Sequence, residues 1–205
     1  MPTAVQFRPI RLGSLLLAGL LAACAFALAG AAPANAGIIA TGACDDAALS
    51  KPFAAWGDNR DYKLMPGGDF EGPLQGWTVR GATAAGGGAQ GSGGSLLLTP
   101  GDYVQTPTTC VNTSYPSFRM FSKTVKGLGT VLVSVVYKVP LLGQVGVPVG
   151  VVALNGREWS PTMTMLTAST VTGVLSNGTA QMAVRFTALT GNVAVDRIFV
   201  DPRMR

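Results

Sequence analysis

Ten carboxylates and no histidine bound the chemistry open to this 205-residue chain. Without histidine there is no Ser-His or Cys-His nucleophile, no imidazole general base and no histidine-bound zinc. No serine sits in a Gly-x-Ser-x-Gly elbow, and the stretch "GATAAGGGAQGSGGS" (81–95) lacks the Gly-Lys-Ser/Thr ending of a phosphate loop, so no nucleotide is expected. Pairs of acids remain, because glycoside hydrolysis needs only two carboxylates at a suitable separation. The candidates are Asp45 with Asp46, Asp58 with Asp61, Asp69 with Glu71, Asp102, Glu158, Asp196 and Asp201. Asp45, Asp46, Asp58 and Asp61 fall in a stretch without sustained periodicity, a poor platform for fixed geometry. Glu158 has Arg157 beside it and reads as half of a surface ion pair. Asp69 and Glu71, in "PGGDFEGPLQGW" (66–77), stand two apart on one strand with no catalytic partner in view. The chain therefore reads as a protein that is not an enzyme.

Asp196 needs a partner of another kind. In "NVAVDRIFVDP" (192–202), period-two alternation puts Asp196 with Ala194, Ile198 and Val200, and Val193, Val195, Arg197 and Phe199 opposite. A carboxylate among Ile and Val is costly unless something satisfies it. A structural Asp bonded to an Arg or to backbone N–H groups is one reading. A calcium ligand is the other, because Ca²⁺ gathers carboxylate and backbone oxygens from separate segments.

The elements that must position these groups are strands. "TVLVSVVYKV" alternates with Val131, Val133, Val135, Tyr137 and Val139 on one face, and "VGVPVGVVAL" puts Val145, Val147, Val149 and Val151 on another. "AQMAVRFTAL" sets Met182, Val184 and Phe186 against Gln181, Ala183, Arg185 and Thr187. Period-two runs rich in Val and Thr, broken by Gly, Pro and Asn, indicate an all-β antiparallel sandwich. Residues 81–95 read as a loop, and Asn177-Gly178 as a hairpin turn. The sequons at Asn112 and Asn177 are read as turns rather than glycan sites.

The amino terminus points to export. Arg8 and Arg11 precede an uncharged run from Leu12 to Ala32, and Ala34-Asn35-Ala36 offers a small-x-small cleavage site, so 1–36 reads as a signal peptide. Two rivals stand beside it: acylation at Cys24 in the Leu21-Ala22-Ala23-Cys24 box, and retention of the apolar run as a membrane anchor. A secreted, extracellular protein is expected, with lipid anchoring at the cell envelope as the alternative. Two of the 15 Lys and Arg lie in the signal, leaving 13 against 10 acids, a net +3, scattered and without aromatic interleaving, so nucleic acid is not an expected partner. Two cysteines remain, Cys44 and Cys110, an even pair that suggests a disulfide in an oxidising compartment, with two free buried thiols as the other reading. The bridge would be worth roughly 4 kcal/mol on loop entropy. Residues 37–65 read as an irregular arm with one short helical turn near Asp45 to Leu49, and 66–205 as the sandwich domain.

"PGGDFEGPLQGW" resembles the opening strand of galactose-binding-like jelly-roll domains, in particular carbohydrate-binding modules of the family-four and family-nine type. Those open on Asn-Gly-x-Phe-Glu followed by Gly-Trp, and "VDRIFVDP" (195–202) is similar to their closing Asp-Asp-Val/Ile strand. The chain is also similar to a group of secreted bacterial proteins through "CVNTSYPSFRMF" (110–121) and "EWSPT" (158–162). The resemblance implies a jelly roll in which Glu71 and Asp196 hold a structural calcium, the one cofactor it suggests. Pro66-Gly67-Gly68-Asp69 and Arg197 depart from the pattern, and Arg197 could neutralise a carboxylate itself. Phe70 and Trp77 fit packing roles.

Sugar platforms in such modules are exposed rings, and Tyr103, Tyr115, Tyr137 and Trp159 are the rings available. Tyr137 shares its face with valines and reads as core, and no two rings have platform spacing. The expectation is an exported, non-catalytic module binding glycan, cell-wall polysaccharide or other cell-envelope components. The alternative is a structural or protein-interaction domain without a small-molecule ligand, membrane-associated only if anchored through its amino terminus or Cys24.

Overall fold

A computed structural model of the chain describes residues 48–112, 117–139, 142–154, 156–166 and 179–201, with backbone alone at 110–112 and 179–180. The described strands are β1 (Leu49–Ser50), β2 (Tyr62–Leu64), β3 (Thr78–Arg80), β4 (Thr83–Gly86), β5 (Gly94–Leu98), β6 (Tyr103–Gln105), β7 (Thr109–Asn112), β8 (Ser117–Val139), β9 (Gly143–Leu154), β10 (Ser160–Pro161), β11 (Met165–Leu166) and β12 (Thr179–Asp201). Every pairing among them is antiparallel, and the all-β sandwich read from the alternation is what forms. Its spine is a pair of 23-residue strands, β8 and β12, matched from Met182↔Tyr137 to Asp201↔Ser117. The other edge of β12 takes β7 and β6 along residues 179–187, then β5 and β2 along residues 193–200. β9 lines the 129–139 half of β8.

Alternation builds the main core. Val131, Val133, Val135 and Tyr137 oppose Ala188, Phe186, Val184 and Met182, and all eight are buried together with Leu96, Leu98, Val104, Phe118 and Met120. In β9 the expected single face breaks. Gly150 pairs with Val133 and Pro148 with Ser134, leaving Val149 as an extra residue. Val151 is thereby turned outward, 59% exposed, while Val152 and Leu154 turn in.

Register shifts also lie between Ala188 and Val193, and a bulge beyond them corrects the reading of the last strand. Asp196 pairs with Phe121 but Phe199 with Arg119, so β12 carries one residue more than β8 over this step. Arg197 takes up the excess in the left-handed region, at φ 47°. The parity flips there. Val193, Val195, Ile198 and Val200 all enter the main core, and Phe199 lies on the opposite face with a second apolar cluster. Asp196 is therefore not on the Ile198 face.

The segment expected as an irregular arm is structured where it is described. Residues 48–65 supply β1, a 3₁₀ turn at Ala54–Trp56 and β2, which bonds to β12. Phe53 lies fully buried beside Tyr62 (ring centroids 5.0 Å), Phe121 (5.3 Å) and Phe199 (5.5 Å). With Ala89, these make a small second core that covers one half of the sheet's outer face. Sequence periodicity could not show this, because single apolar residues plug the face one at a time. Of the helical turn expected from Asp45 to Leu49 only the end is described, and there Leu49 belongs to strand β1. The export signal, Cys24, Cys44, Tyr115 and Asn177-Gly178 lie outside the described residues, as does the side chain of Cys110.

"PGGDFEGPLQGW" is a run of turns, not a strand. The Gly68 N–H donates to Met65 O (2.8 Å), the Phe70 N–H donates to Gly67 O (3.2 Å), and Phe70 itself has φ 54°. Trp77 packs edge-on to Phe70 at 5.1 Å and its indole N–H donates to Pro66 O, so both rings hold the turn against the core.

Candidate functional site

The glycine-rich loop between β4 and β5 is where the two acids singled out by the sequence meet the chain. Asp196 is fully buried; its Oδ2 accepts from the Ala89 N–H (2.6 Å) and the Ser92 hydroxyl (2.6 Å), and its Oδ1 from the Arg197 N–H (2.6 Å). Burial pushes its carboxyl above the usual range, while these donors pull the other way. Glu71 Oε1 accepts from the Gly93 N–H (2.6 Å) and the Gly94 N–H (3.1 Å). Two glycines make this approach possible. A Cβ on Gly88 would collide with Asp196 Oδ2 and Ser92 Oγ, and one on Gly94 with Phe70 O.

These residues do not fit the calcium that the resemblance implies. Calcium takes six to eight oxygens, whereas the groups meeting both carboxylates here are N–H and O–H donors. Arg197 adds a cation to the same loop, its Nη1 donating to Gln90 Oε1 at 3.1 Å. Among the described residues no three acids, cysteines or histidines gather at ligand spacing. The arrangement is a clamp: Glu71 and Asp196 supply the acceptors that a loop of glycines cannot supply for itself.

A second acidic cluster lies under the 3₁₀ turn. Asp58 Oδ1 accepts from the backbone N–H (3.2 Å) and Nε (2.8 Å) of Arg60; its Oδ2 accepts from Arg60 Nη2 (2.8 Å), the Tyr62 hydroxyl (2.7 Å) and Arg119 Nη1 (2.8 Å). Arg60 Nη1 lies 3.9 Å from Asp201 Oδ2. The Arg60 guanidinium holds Asp58 far below the usual carboxylate range against the opposing effect of burial. A carboxylate saturated with five donors has no proton to give, so Asp58 and Asp201 do not form an acid–base pair.

The other half of the sheet's outer face carries a polar row. Cα partners across a pair share a face, so β3, β6, β12, β8 and β9 present Thr78 and Arg80, Tyr103 and Gln105, Ala183 and Arg185, Ser134, Val136 and Lys138, and Gln144 on one side. The Arg185 guanidinium lies 4.9 Å from the Tyr103 ring centroid, and its Nη2 and Nε both donate to Gln105 Oε1, at 2.7 and 3.1 Å. Gln105 Nε2 donates to Gln144 Oε1 at 3.2 Å. β6 and β9 are three strand spacings apart, about 14 Å if flat. The contact between Gln105 and Gln144 therefore requires the sheet to curl toward this side. Ala183 and Val136, partners in register, are each 3% exposed and lie beneath this row.

A hollow of about 600 Å³ lies between β9 and residues 156–166. Val149, Val151, Leu154, Met163, Met165 and Leu166 are among the residues that line it, and no aromatic ring does.

The rings fall into place accordingly. Tyr137 is core, as its valine neighbours indicate. Trp159 is half-buried under Lys123 (4.6 Å), its indole N–H bonded to Gly87 O. Tyr103 joins the polar row. Gln105, Arg185 and Gln144 were not singled out by sequence reasoning. The available signal was the polar side of "AQMAVRFTAL", whose core side forms as expected while Arg185 and Thr187 face outward.

No family model matches the sequence, and no curated protein does. Solved structures similar to the chain include the C-terminal family 22 carbohydrate-binding module of Clostridium thermocellum Xyn10B, at 16% identity and TM-score 0.45 over 65% of this chain and 90% of that one. The CBM22-2 xylan-binding domain of Paenibacillus barcinonensis Xyn10C matches at 13% and 0.48 over 66% and 97%. The C-terminal CBM6 of a laminarinase, LamC, from Zobellia galactanivorans matches at 8% and 0.44 over 60% and 90%. Likenesses at this level carry no residue roles to this chain.

Proposed function

We propose that this protein is an exported, non-catalytic binding module, and that the polar face of β3, β6, β12, β8 and β9 takes a glycan. The observation that carries this reading is the Tyr103–Arg185–Gln105–Gln144 row above the Ala183–Val136 pair. The buried Gln105 holds the half-buried Arg185 guanidinium and the exposed Gln144 amide in place, so that these two meet sugar hydroxyls at little entropic cost, with the Tyr103 ring beside Arg185. The loop 86–94 does not compete for this face through its own bonds, which run to Glu71, Asp196, Arg197, Trp159 and Pro52. No catalytic role is assigned: the chain has no histidine, and its best-placed acid is locked by arginines.

A glycan and cell-wall polysaccharide array with the purified protein tests the reading. Binding is expected, and Tyr103→Ala should lose it with the thermal melt preserved; an array blank across all polysaccharides overturns it. The second reading, a structural or protein-interaction domain without a small-molecule ligand, is favoured by one observation, the aliphatic lining of the 600 Å³ hollow beside β9.

A further inference from the structure

The charges on this face are segregated. Arg80, Lys138 and Arg185 all lie on it, and no acid occupies any position that register assigns to it. Arg80 and Lys138 are exposed and make no ion pair or hydrogen bond among the described residues. Arg185 is half-buried, yet its partner is the neutral Gln105 rather than a carboxylate. The nearest acid in sequence, Asp102, is engaged at the β5–β6 turn, where its Oδ2 accepts from the Thr99 N–H and hydroxyl, both at 2.7 Å. By contrast Asp58, Asp61, Asp196 and Asp201 sit with the second core or its covering segment, each against a cation or a set of donors. A half-buried guanidinium held by an amide, on one face with two exposed cations, leaves positive charge uncompensated on that side of the sheet.

We infer that the ligand of this face is an acidic polysaccharide whose sugars carry carboxylates, a polyuronate, with Arg80, Arg185 and Lys138 as the groups that select it over neutral chains. The inference rests on the glycan-binding reading above. The positions suit a chain laid across the strands: Arg80 is the Cα partner of Tyr103, Arg185 of Gln105, and Lys138 of Gln144, so a cation stands beside each polar group of the row. Guanidinium groups match carboxylates in shape as well as in charge.

The test is affinity electrophoresis of the purified protein in gels containing polygalacturonate, a sulfated galactan or neutral xylan, at low and at high salt. Retardation by polygalacturonate is expected, weakening several-fold as ionic strength rises, since exposed charge contacts are screened. The Arg80→Gln, Lys138→Gln double variant should bind polygalacturonate about tenfold more weakly while its thermal melt stays in place, because both side chains are exposed. Equal retardation by xylan, insensitive to salt and to the double variant, would overturn the acidic specificity and leave the glycan reading standing. Retardation by the sulfated galactan alone would also overturn the carboxylate assignment. No retardation in any gel would overturn both.

Discussion

Glu71 and Asp196 hold one loop at neighbouring points. Asp196 takes the Ala89 N–H and the Ser92 hydroxyl, and Glu71 the N–H groups of Gly93 and Gly94. They differ in burial, and so should their truncations. Asp196→Ala strands buried donors and should cost about 2–3 kcal/mol, whereas the exposed Glu71→Ala should cost less than about 1 kcal/mol. Amide exchange at Ala89 should quicken in the first variant and at Gly93 and Gly94 in the second. Unchanged exchange in both would show that the loop does not depend on the clamp.

The same contacts predict indifference to calcium. Thermal melts in EDTA and in millimolar Ca²⁺ should superimpose, because both oxygens of Asp196 and Oε1 of Glu71 already face N–H and O–H donors. A melt several degrees higher in Ca²⁺ would mean that a cation displaces those donors.

The pH dependence has two limbs with different owners. Asp58 is held below its ordinary 3.8, so it binds protons more tightly unfolded; its contribution is complete above that value and lost as pH falls below it. Tyr62 is pushed up to about 12, first by burial and then by its bond to Asp58, so its contribution is complete below 10 and lost between 10 and 12. Asp196, pushed up by burial, acts against Asp58: what it contributes is lost as pH rises through its raised value. Urea unfolding across pH should show Tyr62→Phe flattening the alkaline limb and Asp58→Asn the acid one. Since Asp58 lies between Arg60 and a nearly buried Arg119, Asp58→Asn should also cost about 3–5 kcal/mol at neutral pH.

Arg197 bears the backbone strain of the β12 bulge at φ 47°. Arg197→Gly should raise the urea midpoint by the equivalent of up to about 1 kcal/mol, less what is lost with the Gln90 contact. Arg197→Val, β-branched and ill-suited to that region, should lower it by about 1–2 kcal/mol. A rise in the Val variant would show that the bulge migrates.

What the sequence made legible follows from period-two alternation. The 131–137 stretch of β8 and the 182–188 stretch of β12 read correctly because each keeps one face against the core without interruption. The register shifts between Ala188 and Val193, which join these stretches to the rest of β8 and β12, left no mark in the alternation. β9 and the end of β12 did not, because one extra residue at Val149 and at Arg197 reverses every side chain beyond it, and nothing local in "VPVGVV" or "VDRIFV" marks the reversal. Glu71 and Asp196 were found as residues with something to satisfy, but their partners are mostly backbone N–H groups, of Gly93 and Gly94 for Glu71 and of Ala89 and Arg197 for Asp196, which no side-chain pattern records. Arg185, Gln105 and Gln144 come from three separate strands, and only the curl of the sheet brings them together.

β12 pairs with β2, β5, β6, β7 and β8, strands that begin as early as Tyr62. The hub of the sheet is thus the last of the described strands in chain order. Folding cannot proceed in order of synthesis: both halves of the sheet wait for residues 179–201, and loop closure over such separations is slow. Until that strand arrives, β8 has no partner along one entire edge. The strands before β12 therefore stay open to other partners, or simply extended, until the strand that joins them has been made.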